Sequence, residues 1–206
     1  MARAGIVYVG TTDGLVTYSD PGGTGRWRRV GRVCDGHAVR AILAADALSL
    51  LIVTGVAAMR TTDGGQSWAV VPSAEAAALL ALANSDAPMV ATALGPAQWR
   101  GAHPPAPGAV ALALLAGKQE TLIAAIAGGT ALVRSEDGGT TWAQVTVEGR
   151  LDGAVQTLMP ASYHMDITWA GTNTGQLLRS DDRGQTWHEV AHEQVAVLSL
   201  AVTRLI

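Results

Sequence analysis

Thr61–Trp68 reads TTDGGQSW, Ser135–Trp142 reads SEDGGTTW and Ser180–Trp187 reads SDDRGQTW. A stretched copy, SDPGGTGRW, begins at Ser19. A pattern that returns at roughly 40-residue spacing is the mark of a repeat architecture. Each position has a mechanical reason. Asp63, Asp137 and Asp182 can accept backbone N–H bonds across a tight loop, as Asx-turns do. Gly65, Gly139 and Gly184 supply backbone angles that a side chain forbids. The Ser or Thr that follows adds a hydroxyl, and Trp68, Trp142 and Trp187 bury a large ring beneath the loop. The stretch is a hairpin staple.

Around Ser180 the flanking runs complete a unit: AVQTLM from Ala154, ITWAGT from Ile167, QLLRS from Gln176, and TWHEV from Thr186. Each is rich in Val, Ile, Leu, Thr or Trp and bounded by turn residues, so the unit reads as a four-stranded meander. Second strands of such units recur at Ile6, Leu50, Met89, Leu122 and Ile167, and first strands at Ala38, Ala77, Ala109 and Ala154. The first unit lacks a first strand, while VAVLSLAVTRLI from Val195 is a first strand with nothing after it. Joining the two removes exposed sheet edges. The sequence therefore predicts an all-β, five-bladed propeller of four-stranded antiparallel blades, closed by the C-terminal strand joining the first blade. It is a single domain over 1–206, with blades near 196–206 plus 5–33, 37–72, 76–105, 109–148 and 153–191. The third has lost its box but keeps Trp99, and Pro104, Pro105 and Pro107 make its outer edge a loop. AEAAALLALA from Ala74 has helical propensity, but its place in the repeat argues for a strand.

Bulk properties exclude several classes. The net charge of −3 is spread along the chain, leaving no electrostatic footprint for nucleic acid. Cys34 is the one cysteine, so neither an intrachain disulfide nor a cysteine zinc cluster can form. No apolar run reaches the roughly 18 residues of a membrane helix, so membrane insertion is not expected. No basic start precedes a long apolar stretch, so the expected location is cytoplasmic.

The boxes resemble the Asp-box, or BNR, repeats of sialidases, sortilin-type receptor domains, some glycan-cleaving propellers and the photosystem II assembly-factor family. The resemblance implies a propeller fold, while function belongs to the site and not to the fold. Sialidases of this kind imply three arginines holding a carboxylate, a Tyr–Glu pair and an acid Asp. Their Arg-Ile-Pro start is missing here, and Tyr8, Tyr18 and Tyr163 lie in or beside predicted strands without an evident Glu. Sialidase activity is not expected.

Arg60, Arg134 and Arg179 each precede a box, and Arg100 holds the matching place in the third unit. They form either a ring of cations for an acidic ligand, as the assembly-factor resemblance suggests, or stems packed along blade faces. Their recurrence with the repeat favours packing. His188–His192 spells HEVAH, the helical zinc-protease pattern. In the fourth-strand slot it occupies, the two imidazoles stand roughly 13 Å apart along the chain, too far to share an ion. No bound metal or cofactor is expected.

Strand direction sorts the loops. With the boxes on the bottom face, the opposite rim collects Asp13, Cys34, Asp35, His37, Glu75, His103, Glu148, Asp152, Asn173, His192 and Glu193. Propellers bind on such rims. The candidate ligand-binding residues are Asp13, Asp35, His37, His103, Asp152, Asn173, His192 and Glu193, with no catalytic set recognised. The favoured function is a non-enzymatic scaffold or module binding a protein or a small molecule, resembling assembly factors. One alternative is a glycan hydrolase or lyase using Asp35, Asp152 and Glu193, which requires two facing carboxyls roughly 5–10 Å apart. A metal-dependent enzyme built on His37, His103 and His192 is the other.

Overall fold

The computed structural model describes residues 4–72, 77, 89–92, 95–98, 106, 108–117 and 120–205. The chain forms two compact units, Met1–Ser85 with Leu198–Ile206, and Asp86–Val197. Among the described residues the elements of size are strands, arranged in four sheets that are antiparallel apart from two parallel pairs.

In the first unit, β1 (Gly5–Thr11), β2 (Gly14–Asp20) and β3 (Arg28–Val33) form an antiparallel meander. The C-terminal strand, here named β19 (Val197–Arg204), is hydrogen-bonded along β1, so its sheet runs β19-β1-β2-β3. Every residue of β1 is buried, which is why GIVYVGT carries no charge. At the outer edge β3 is largely exposed and carries Arg28, Arg29 and Arg32, charges that protect an unpaired strand. A second sheet is built from β4 (Val39–Ala44), β5 (Leu50–Thr54), β6 (Ala58–Thr61) and β7 (Ala69–Val70), in that order. Ile6, Tyr8, Leu15, Val39, Ile42, Leu50 and Ile52 pack between the two sheets. The Tyr8 hydroxyl donates to Ala47 O at 2.7 Å, and Ser199 Oγ donates to Val39 O at 2.9 Å.

In the second unit, β8 (Met89–Thr92) and β9 (Gly95–Gln98) form a hairpin, with β10 (Ala111–Leu115) beside β8 in parallel. Next come β11 (Thr121–Ile126), a 3-10 turn at Ala127–Gly129, β12 (Ala131–Ser135) and β13 (Ala143–Gln144). Together they make a six-stranded sheet in the order β13-β12-β11-β10-β8-β9. The last sheet orders β14 (Thr146–Val147), β18 (Thr186–His192), β17 (Gln176–Ser180), β16 (Thr168–Thr172) and β15 (Val155–Pro160). Its core sets Ile123, Leu132, Val155, Leu158, Leu178 and Trp187 against one another.

Two departures from the repeat reading have physical causes. The run after Trp142 does not stay with one blade: β13 pairs with β12, whereas β14 pairs in parallel with β18, Val147 opposite Trp187. Val145 and Val147 thereby reach the apolar cluster around Trp187. Ala77, expected to open a strand, is helical, as alanine-rich sequence prefers. The remainder of that run, Trp99, Arg100 and the prolines 104, 105 and 107 lie outside the described residues. Among the described residues no helix is long and apolar enough to cross a membrane.

Candidate functional site

The boxes consume their own polar groups. Ser135 Oγ receives the Gly139 amide at 2.8 Å and donates to Asp137 at 2.7 Å. Asp137 in turn receives the Thr141 amide at 2.9 Å and the Thr141 hydroxyl at 2.7 Å. Trp142 Nε1 closes the loop on Gly139 O at 3.0 Å. The same bonds recur with Thr61, Asp63, Gly65, Ser67 and Trp68. They recur again with Ser180, Asp182, Gly184, Thr186 and Trp187. In the stretched copy Asp20 does this work, accepting the Thr24 and Gly25 amides. Donation from Thr141, first by its amide and then by its hydroxyl, with Ser135 adding, holds the Asp137 carboxyl down to about 2. Asp63 lies lower still through Ser67 and Thr61. Burial works to raise Asp182, but Thr186, Ser180 and Gln185 outweigh it and the carboxyl is lowered.

Two of the arginines before the boxes, Arg134 and Arg179, engage groups of the chain itself. Arg134 donates from Nε to Arg183 O at 2.7 Å and pairs with Glu136. Arg179 is buried, lies over the Trp169 ring at 5.6 Å and pairs with Asp181. HEVAH lies in strand β18, not on a helix.

The rim residues fall into two groups, one in each unit. In the first, the Arg32 guanidinium joins Asp13 of the β1–β2 turn to Asp35 of the β3–β4 turn, with Nε at 2.6 Å from Asp35. The Gly36 amide reaches Asp13 at 2.8 Å, and that amide, followed by Arg32, lowers the Asp13 carboxyl. His37 Nδ1 stands 3.1 Å from Asp35 O, a contact within the same turn. Burial, and then Asp35, raises the Cys34 thiol.

In the second unit the frame is Gln176, almost fully buried. Its Oε1 accepts the Asp152 amide at 2.9 Å, while Nε2 donates to Arg150 O at 2.9 Å and to Glu189 at 2.6 Å. Asn173 accepts the Ala154 amide at 2.7 Å, and the Thr174 hydroxyl donates to Asp152 O. His192 stands between carboxylates, Nδ1 at 3.5 Å from Glu189 and Nε2 at 3.9 Å from Asp152. Glu193 is buried, and its amide donates to Gly175 O at 2.8 Å. His103 and Glu75 lie outside the described residues. Among the described residues no three His, Cys, Asp or Glu side chains stand together as metal ligands.

Sequence reasoning missed Arg32, Gln176 and Glu189. A β-bulge explains Glu189: Ala191 opposes Leu177 but Glu189 opposes Leu178, so Val190 is extra and the alternation slips. Glu189 then reaches His192, three residues on, which a regular strand places on the opposite face. Arg32 is an unremarkable edge residue until the turn 19 residues earlier folds beside it.

The pattern at residues 178–189 matches the BNR/Asp-box repeat model. The matched stretch is one Asp-box repeat. No curated protein matches it. Among solved structures it is similar to YCF48 bound to D1 peptide, at 14% identity and TM-score 0.28, covering 91% of this chain and 77% of that one. It is also similar to YCF48 from Cyanidioschyzon merolae, at 9% identity and TM-score 0.28, covering 98% and 71%. A third is the GH74 enzyme of Niastella koreensis, at 15% identity and TM-score 0.32, covering 92% of this chain and 24% of that enzyme. At these scores the likenesses carry no argument about ligand or reaction.

Proposed function

We propose that the chain is a single five-bladed propeller domain that serves as a non-enzymatic scaffold, holding a protein or small-molecule partner on the rim opposite the boxes. The observation that carries this is the internal cross-tying of the rim turns. Arg32 ties two turns in one unit, and Gln176 ties Arg150, Asp152 and Glu189 in the other. Turns held this way present polar groups without paying ordering entropy on binding. Asp35, His37 and His192 stay exposed on them. The pairing of β19 with β1 supports closure, and the β8–β9 hairpin is read as the remnant of the third blade, joined through β8 to the sheet of the fourth.

The test is site-specific photo-crosslinking. A crosslinker at His37 or His192 is expected to capture one defined partner that a crosslinker at Thr140, an exposed box residue, does not. Equal capture at all three positions refutes the rim assignment. Turnover of a glycan panel, lost in Asp152→Asn, replaces the scaffold by an enzyme.

A further inference from the structure

A cavity of about 150 Å³ lies within the first unit, between the β1–β2–β3 face and the box hairpin of the second sheet. Tyr8, Thr17 and Gly31 bound one side, and Gly64, Gly65 and Trp68 the other. In the second unit the same kind of contact, sheet face against box, is filled. There Ile123 pairs across the strands with Arg134, as Tyr8 pairs with Thr17. A Cβ placed on Gly184 would meet Ile123 Cδ1 at 2.2 Å and Arg134 Cδ at 3.8 Å. On Gly65 it would meet the Trp68 ring alone, at 3.6 Å. Thr17 thus stands where the filled contact has an arginine, the offset of one residue coming from the stretched box.

The missing group has a definite chemistry. Arg134 Nε donates to the carbonyl of Arg183, the fourth residue of its box. The fourth residue of the facing box in the first unit is Gly64. No described residue donates to its carbonyl, and it shares the left-handed backbone of Arg183 (φ 74° and 61°). The cavity therefore joins a free acceptor, an aromatic wall and space of about the size that accepts a benzene ring. Arg32 also lines it, but Asp13 and Asp35 engage its guanidinium, leaving the trio with one net negative charge. We infer that this cavity is a binding site for a guanidinium group, the side chain of an arginine in an extended partner segment, which occupies the place that Arg134 fills within its own unit. The site shares Arg32 with the rim, but the inference rests on the box contact and not on the rim reading.

Titration with methylguanidinium chloride, against sodium chloride at equal ionic strength, tests this in the full chain. The Trp68 indole N–H resonance, assigned by its loss in Trp68→Phe, should shift saturably while that of Trp187 stays in place. N-acetylarginine methylamide should give the same shift; if only methylguanidinium does, the peptide-borne arginine is ruled out. Thr17→Arg should fill the cavity with the chain's own guanidinium and weaken the probe by about tenfold or more, as loss of both the acceptor and the space requires. Gly31→Val narrows the same cavity without a backbone penalty, since its Cβ would meet Thr17 at an ordinary 3.8 Å. It covers the case in which Thr17→Arg does not fold. No saturable shift, or an equal shift in both variants, overturns the assignment.

Discussion

Truncating Trp187 should cost far more than truncating Trp68, although both close the same staple. Trp187 is fully buried, packs with Ile123, Leu132, Val155 and Leu178, and donates to Gly184 O at 3.1 Å. Removing an indole that covers about 200 Å², at about 25 cal/mol per Å², forfeits about 5 kcal/mol, of which alanine recovers about 1. Measured large-to-small changes in cores agree, at about 3–5 kcal/mol. Trp68 is only partly buried and faces the cavity, so its loss should cost about 2 kcal/mol. For a chain of this size, Trp187→Ala should lower Tm by about 8–16 °C and Trp68→Ala by about 4–8 °C. Urea unfolding followed by circular dichroism, compared at unchanged m-value, reads the difference directly. Should Trp187→Ala not fold, Trp187→Phe keeps most of the ring and should lose about 1–2 kcal/mol. Equal costs at the two tryptophans would refute the view that the filled and unfilled contacts differ.

Other outcomes follow from the same bonds. The depressed Asp137 carboxyl contributes stability that is complete above its ordinary value of 3.8 and is lost as pH falls towards about 2. Tm measured down an acid series should drop across that window, and less steeply in Asp137→Asn. Gly175→Ala should cost about 3 kcal/mol or more by chemical denaturation, because its Cβ would lie 1.9 Å from Glu193 O at φ 101°. Gly25→Ala, with a positive φ but open space, should cost about 1 kcal/mol. The raised Cys34 thiol should alkylate with iodoacetamide at neutral pH more slowly than free cysteine, read by mass spectrometry.

The staples were legible because they are local: donors and acceptors lie two to four residues apart, so composition and spacing specify the bonds, from Ser180 to Gly184 or Asp63 to Ser67. The terminal strand was legible because VLSLAVTR is too apolar to stay exposed and β1 offered it an edge. The rim was legible only as a set of turns. Which partners meet there depends on distant chain segments and on a bulge at Val190, and no residue pattern encodes that slip of register.

What the amino-acid order determined alone is the repeating hairpin, its capped carboxylates and its tryptophan anchors, because each is closed by contacts within one loop. Only the tertiary structure decided that Arg32 bridges Asp13 and Asp35, that Gln176 joins Arg150 to Glu189, and that one box packs against an arginine while another faces a cavity. Those outcomes depend on how whole sheets approach each other, and a side chain of one sheet meets a carbonyl of the next across 49 residues of chain, as Arg134 does with Arg183.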